Sequence, residues 1–219
     1  MQIYTLIRTN RRTLSLQISK EWFLIARAPL KLSQEKIEQF IELKSQWIQK
    51  MQEKVLSQNK YEDEPNVMHY FGKKYTINFS STCEKMGIQE STWTFTLPYK
   101  YKEFQDEKIT YWYKMRAKEY LSQETYRLAT LYNFRYKNIK VTSAKTRWGS
   151  CSALNAINYS YRLIKQSKEA IEYVIIHELV HTKIKNHWVH FWKMVESILP
   201  DYKKREWILK SSGSPSWNF

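Results

Sequence analysis

His177 and His181 stand four residues apart, with Glu178 between them, in the run Ile175-Ile-His-Glu-Leu-Val-His181. On a helix, residues four apart leave the same face, so both imidazoles can reach one metal ion. Glu178 leaves the helix one position on and cannot point directly at the same ion. It can reach a water held by that ion, where a base is useful. Ile171, Val174, Ile175, Ile176, Leu179 and Val180 make this helix apolar nearly all round, the pattern of a buried helix. Two histidines and a glutamate buried there are costly unless paired or metal-bound. That favours a metal site over chance spacing.

His187, six residues after His181, is the natural third ligand. It requires the helix to break between them, and Lys185-Asn186 suits the break because Asn tolerates the left-handed conformation. His190, Glu196 and Asp201 are rivals for the same role. Three neutral imidazoles with one open position suit zinc, and Mn, Ni or Co would also fit. Such an ion lowers the pKa of its water and polarises a carbonyl or phosphoryl oxygen. Glu178 would take the water proton and later deliver it to the leaving group. Arg147, Tyr161, Arg162 and His190 are candidates for contacts to substrate or transition state. Arg147 and Trp148 have a competing role in holding their loop, and His190 has one as a surface residue.

The elements that must position these groups follow from periodicity. Residues 1–28 alternate in the strand manner, with Ile3, Leu6 and Ile7, then Leu14, Leu16 and Ile18, then Trp22, Leu24 and Ala26. Polar breaks at Thr9–Arg12 and Ser19–Glu21 fit hairpin turns, which predicts an antiparallel meander. A helix of about 20 residues or more follows the Ser33 N-cap. Strand-like runs at His69–Phe79 and Thr92–Leu97 flank a loop. A helix then runs from near Phe104 to near Asn133. Strands are expected at Ile139–Ser143 and Ala156–Ile164. Helices are expected at Lys168–Lys185, His187–Leu199 and Tyr202–Lys210. The class is α+β: a β-rich N-terminal subdomain with one long helix (1–100), a metal-binding subdomain with the active-site helix (101–210), and a polar tail (211–219).

Composition narrows the setting. The 219 residues hold nine Trp, nine Phe and sixteen Tyr but only four Gly and five Pro, which excludes disordered and collagen-like classes. No run approaches the roughly 20 apolar residues of a membrane helix. The N-terminus lacks the layout of a signal peptide. Two cysteines, Cys83 and Cys151, make no disulfide framework. Together these predict a cytoplasmic protein with reduced thiols. The formal charge of +15 favours anionic partners, nucleic acid among them.

Beyond the short metal motif, the chain resembles the YgjP-like metal-dependent hydrolases, a zincin-type metallopeptidase group related to the SprT-like and WLM proteases. The resemblance runs from Thr9-Asn-Arg-Arg-Thr-Leu and Arg27-Ala-Pro29 through Gln46-Trp47-Ile48, Tyr70-Phe-Gly-Lys-Lys-Tyr75 and Tyr111-Trp-Tyr113 with Ala117. Its most specific parts are Thr146-Arg-Trp-Gly-Ser-Cys-Ser152, Ile157-Asn158, Arg162-Leu-Ile164, Tyr173-Val174, His177-Glu-Leu-Val-His181, Asn186-His187 and Phe191-Trp192. Pro200-Asp-Tyr202 closes it. The resemblance implies His177, His181 and His187 as metal ligands and Glu178 as catalytic acid/base. Thr182, Trp188 and Tyr159-Ser-Tyr161 depart from the usual pattern without removing a ligand, and bear on substrate choice. The resemblance also implies a zincin-like architecture in which the Ala156–Ile164 strand forms the sheet edge beside the metal, open to an extended peptide.

Three functions compete at this level. The first is a zinc metallopeptidase, acting near nucleic acid as its SprT-like and WLM relatives suggest. The second is a metal-dependent nucleotide pyrophosphohydrolase, although phosphoryl chemistry usually prefers carboxylate-held magnesium. The third is a nucleic-acid-binding module with a structural zinc, which would not need Glu178.

Overall fold

In the computed structural model, the described residues are 4–19, 23–62 and 66–211. Ile3, Trp22 and the polar tail beyond Ser211 therefore lie outside them. Six α-helices and three small mixed sheets are found among the described residues, an α+β architecture. The chain divides into two compact units, Met1–Glu64 and Pro65–Phe219.

In the first unit, β1 (Tyr4–Thr9), β2 (Ser15–Ile18) and β3 (Leu24–Pro29) precede α1 (Gln34–Leu43) and α2 (Ser45–Glu62). The strand order is β1-β3-β2, with β3 parallel to β1 and antiparallel to β2. This corrects the antiparallel meander. Alternation marks which face a residue takes, but not which strand lies beside it. Leu24, Ala26 and Ala28 of β3 are fully buried, so β3 takes the centre. They pack with Ile37, Ile41 and Ile48 from the two helices. The single long helix expected after Ser33 is broken at Lys44, where φ is −99° and ψ 11°. Arg8 turns its guanidinium onto the carbonyls of Pro29, Leu30 and Leu32 and pins the exit from β3.

The second unit opens with β4 (Val67–Tyr70), β5 (Lys73–Ser80), β6 (Gly87–Gln89) and β7 (Thr94–Pro98), ordered β4-β5-β7-β6. The run His69–Phe79 is thus a hairpin rather than one strand. Its two-residue turn, Phe71-Gly72, has φ of 50° and 75°, the doubly left-handed form that matches strand twist. A phenylalanine there is uncommon. It is supported from outside, because Phe71 N–H donates to Ile164 O at 3.0 Å and Gly72 N–H to Lys165 O at 3.1 Å. A Cβ on Gly72 would stand 3.1 Å from Ser167 Cα. β6 pairs with β7 inside the stretch read from sequence as loop.

α3 (Gln105–Leu131) ends at Tyr132, and Asn133 follows with φ 53°. The third sheet holds β8 (Asn138–Thr142), β9 (Gly149–Cys151) and β10 (Ala156–Ser160), ordered β8-β10-β9. β10 is therefore central, which corrects its reading as the sheet edge. The edge strands are β8 and β9, and β9 is the one that packs on α4. The sequence β10 shares with its continuation is also shorter than expected, since Tyr161–Lys165 forms a 3-10 turn. α4 (Lys168–Val180), α5 (Val189–Ile198) and α6 (Tyr202–Ser211) complete the unit. α4 packs against α3, α5, α6 and β9. It is the spine of the core, which explains why its sequence is apolar on every side. No helix among the described residues is long and apolar enough to cross a membrane.

Candidate metal centre

Ser167 caps α4 by accepting from Ala170 N–H at 3.3 Å, and Glu169 sits in the first turn where the helix dipole favours it. The helix carries His177 and Glu178 into the core, where they are 3% and 2% exposed. It stops at His181, still right-handed at φ −61°. The chain then turns back through Thr182 and Lys183 and brings in His187. Asn186 is not among the residues with positive φ, which corrects the expected left-handed break. Its side-chain oxygen instead accepts from Trp188 N–H at 3.4 Å and shapes the entry to α5.

The three Nε2 atoms form a near-regular triangle. His177 and His181 are 3.1 Å apart, His181 and His187 3.0 Å, and His187 and His177 3.1 Å. His181 Nδ1 lies 3.0 Å from Ile184 O. A proton donated there leaves the Nε2 lone pair facing the other two rings. Phe191, fully buried, lies 4.5–4.8 Å from all three ring centres. Trp192 stacks on His187 at 5.9 Å, and on Tyr202 at 5.5 Å. These aromatics fix the rings in place.

The arrangement fits a metal ion. Three imidazole nitrogens at about 2.0–2.1 Å from one tetrahedral zinc stand about 3.3 Å apart, close to the triangle found. Burial, with the neighbouring rings, pushes His177 well below its usual range. Burial also takes His181 to about 4 and lowers His187. All three are therefore neutral at neutral pH, the form that binds metal. Among the described residues, these three histidines are the cluster able to hold an ion.

Glu178 is held differently. Burial raises its carboxyl to about 8, opposed by the charge of Arg147. Its Oε2 has no hydrogen-bond partner among the described residues. The other side of the carboxylate lies against β9, where a Cβ on Gly149 would come within 2.5 Å of Glu178 Oε1 and 2.8 Å of its Cγ. Only glycine lets the strand pass this close.

The family model for the YgjP-like metallopeptidase domain matches residues 12–212. The chain belongs to the YgjP-like metallopeptidase family. The family implies a metal ion, and the histidine triad could bind one. Two metallopeptidase zymogen structures are also similar. Pyrococcus abyssi abylysin has 18% identity and a TM-score of 0.39, over 43% of this chain and 97% of that one. Methanocaldococcus jannaschii jannalysin has 21% identity and a TM-score of 0.38, over 41% and 93%. None of the curated proteins matches the chain.

In this YgjP-like chain the remaining site candidates fall in different places. Arg147 is exposed and acts on Glu178 through its charge. Tyr161 is buried and stacks against Tyr113. Arg162 lies over the Tyr161 ring at 4.7 Å and donates to the carbonyl of Ser143 at 3.1 Å. These contacts hold the strand ends together. His190 is exposed on the first turn of α5 and outside the triad. Glu196 is exposed, and Asp201 pairs with Arg205 at 2.9 Å. Gly149 is a contact of Glu178 that periodicity and motif spacing do not show, and its only sequence signal is that a glycine in a strand marks a close backbone approach.

Two results are expected here. Gly149→Ala pushes the Glu178 carboxylate aside and lowers peptide turnover by about a hundredfold, the cost of a misplacement near 1 Å. Metal stoichiometry stays unchanged, and turnover near wild type would contradict the contact. The second concerns pH. In the metal-free protein the unfolded chain binds protons on these histidines below about 6.5, while folded His181 resists them down to about 4. Stability therefore falls as pH drops through that window. Glu178 works in the opposite sense: its folded value of about 8 lies above the unfolded value of about 4.3. Its share of stability is lost as pH rises toward 8. The two windows overlap below about pH 6.5, where three histidines outweigh one carboxyl, so thermal midpoints of metal-free protein should be highest at about pH 6.5–7 and fall on either side. A midpoint that climbs steadily from pH 7 to pH 5 contradicts this.

Proposed function

We propose that the protein is a zinc-dependent peptidase in which His177, His181 and His187 hold one zinc ion and Glu178 is the general base and acid. The observation that carries this is the convergence of three imidazole Nε2 atoms, from His177 and His181 at the end of α4 and from His187 on the chain that follows it, with buried Glu178 next to His177 on α4. A zinc ion bound there would acidify a water toward neutrality and polarise the scissile carbonyl. Glu178 accepts a proton from the attacking water and returns it to the leaving amine. Burial raises the Glu178 carboxyl above its ordinary value, and the charge of a zinc ion held by the adjacent histidines would lower it again, so that it could take and give a proton.

The substrate reading follows from β9. This strand pairs with β10 on one side and is terminal in its sheet. An extended peptide can add to the other side through backbone hydrogen bonds. Gly149 in the same strand touches Glu178, so a peptide aligned there runs past the base. The all-imidazole donor set supports zinc over the oxygen-held magnesium of most phosphoryl chemistry. Cys83 and Cys151 are free thiols, which supports a reducing, cytoplasmic setting.

The test is a parallel assay of zinc-loaded protein on casein-derived peptides and on nucleoside triphosphates. Chelator-sensitive peptide cleavage is expected. Turnover confined to the triphosphates would overturn the peptidase reading.

A further inference from the structure

We infer that Lys185 is a positioning residue that ties the loop bearing His187 to the edge strand β9. The inference rests on the reading of His177, His181 and His187 as the metal ligands. His181 ends α4, while His187 follows on non-helical chain, so the third imidazole needs other restraints. Lys183 supplies one, with its ammonium 4.4 Å from the Phe134 ring centre.

Lys185 supplies a more specific one. Its Nζ donates to Ser152 O at 2.8 Å and to Asn155 Oδ1 at 2.5 Å, and lies 3.7 Å from Cys151 Sγ. Three acceptors meet the three N–H bonds of one ammonium. The receiving turn is built to hold them. Ser152 N–H donates to Ala156 O, and Asn155 N–H to Ser152 O. Ser152 Oγ accepts from Ala156 N–H at 3.0 Å. Asn155 sits at φ 60°, and its carbonyl accepts from Lys137 N–H at 2.8 Å. This turn joins β9 to β10, and β9 carries Gly149 against Glu178. One ammonium thus links the strand that packs on the base to the loop that carries the third imidazole.

Lys185 and Ser152 are exposed, so water can replace the ammonium and the fold tolerates its loss. The test measures zinc affinity by competition with a chromophoric chelator, and the melting temperature of the metal-free protein. The variants are Lys185→Met, Asn155→Gly and the double variant. Glycine keeps the left-handed backbone at 155 while removing the acceptor. Lys185→Met should weaken zinc binding about 10- to 100-fold, as loss of a residue supporting a metal ligand does. Asn155→Gly should weaken it in the same direction, and the double variant no further than Lys185→Met alone. The metal-free melting temperature should barely move. Wild-type zinc affinity in both single variants, fully additive losses, or a lowered melting temperature with unchanged zinc affinity each overturn the proposal. Failure of the wild-type protein to bind one zinc would instead strike the metal-site reading itself.

Discussion

Glu178→Gln is expected to lower kcat for peptide hydrolysis by about 10²- to 10⁴-fold, the contribution of a positioned general acid/base. Glutamine keeps the volume and shape of the side chain, so its fit against Gly149 persists. What it loses is the capacity to accept a proton from water. Glu178 is not part of the imidazole triangle, so zinc should remain bound at one ion per chain. Activity and zinc content measured on the same samples check this. Turnover within tenfold of wild type, with zinc in place, would show that another group activates the water.

His187→Ala should separate the third imidazole from its rivals. A complete four-ligand zinc site is worth about 10–16 kcal/mol. One imidazole then contributes roughly 3 kcal/mol, on the order of a hundredfold in affinity. His187 is half-buried, so truncation costs the fold little. His190→Ala provides the control, since His190 is exposed and outside the triad. Chelator competition should give weakened zinc binding in His187→Ala and wild-type binding in His190→Ala. The reverse pattern would move the third ligand to His190.

The candidate site was legible from sequence because its chemistry is local. Residues 177 and 181 share a helix face by geometry alone, and the apolar residues around them required burial. His187 was reachable by counting along the chain. The way the chain reaches His187 was less accessible. Asn186 tolerates a left-handed turn, yet it acts through its side-chain oxygen. Gly149 escaped because its role depends on how closely β9 approaches α4, which no local pattern encodes. The same holds for Lys185, whose acceptors are 30 to 34 positions away in the chain.

The fold follows this division. The α+β class and the helices around the site come from periodicity, and α4 declared its burial through its composition. Strand order did not. Alternation in Leu24, Ala26 and Ala28 identifies an inward face, but the central place of β3 depends on which neighbours it pairs with. The edge position of Ala156–Ile164 is what the family resemblance implies, and the pairing of β10 with both β8 and β9 puts it at the centre instead. The hairpin at Phe71-Gly72 was hidden by a bulky residue at a left-handed position, held by hydrogen bonds from a distant loop.

The central claim, that three histidines hold one ion beside Glu178, is tested most directly by X-ray absorption at the zinc edge on zinc-loaded protein. Wild type should give three imidazole nitrogens and one oxygen at about 2.0–2.1 Å, with one imidazole fewer in His187→Ala. A sulfur neighbour at about 2.3 Å, or the same shell in His187→Ala as in wild type, would contradict the account.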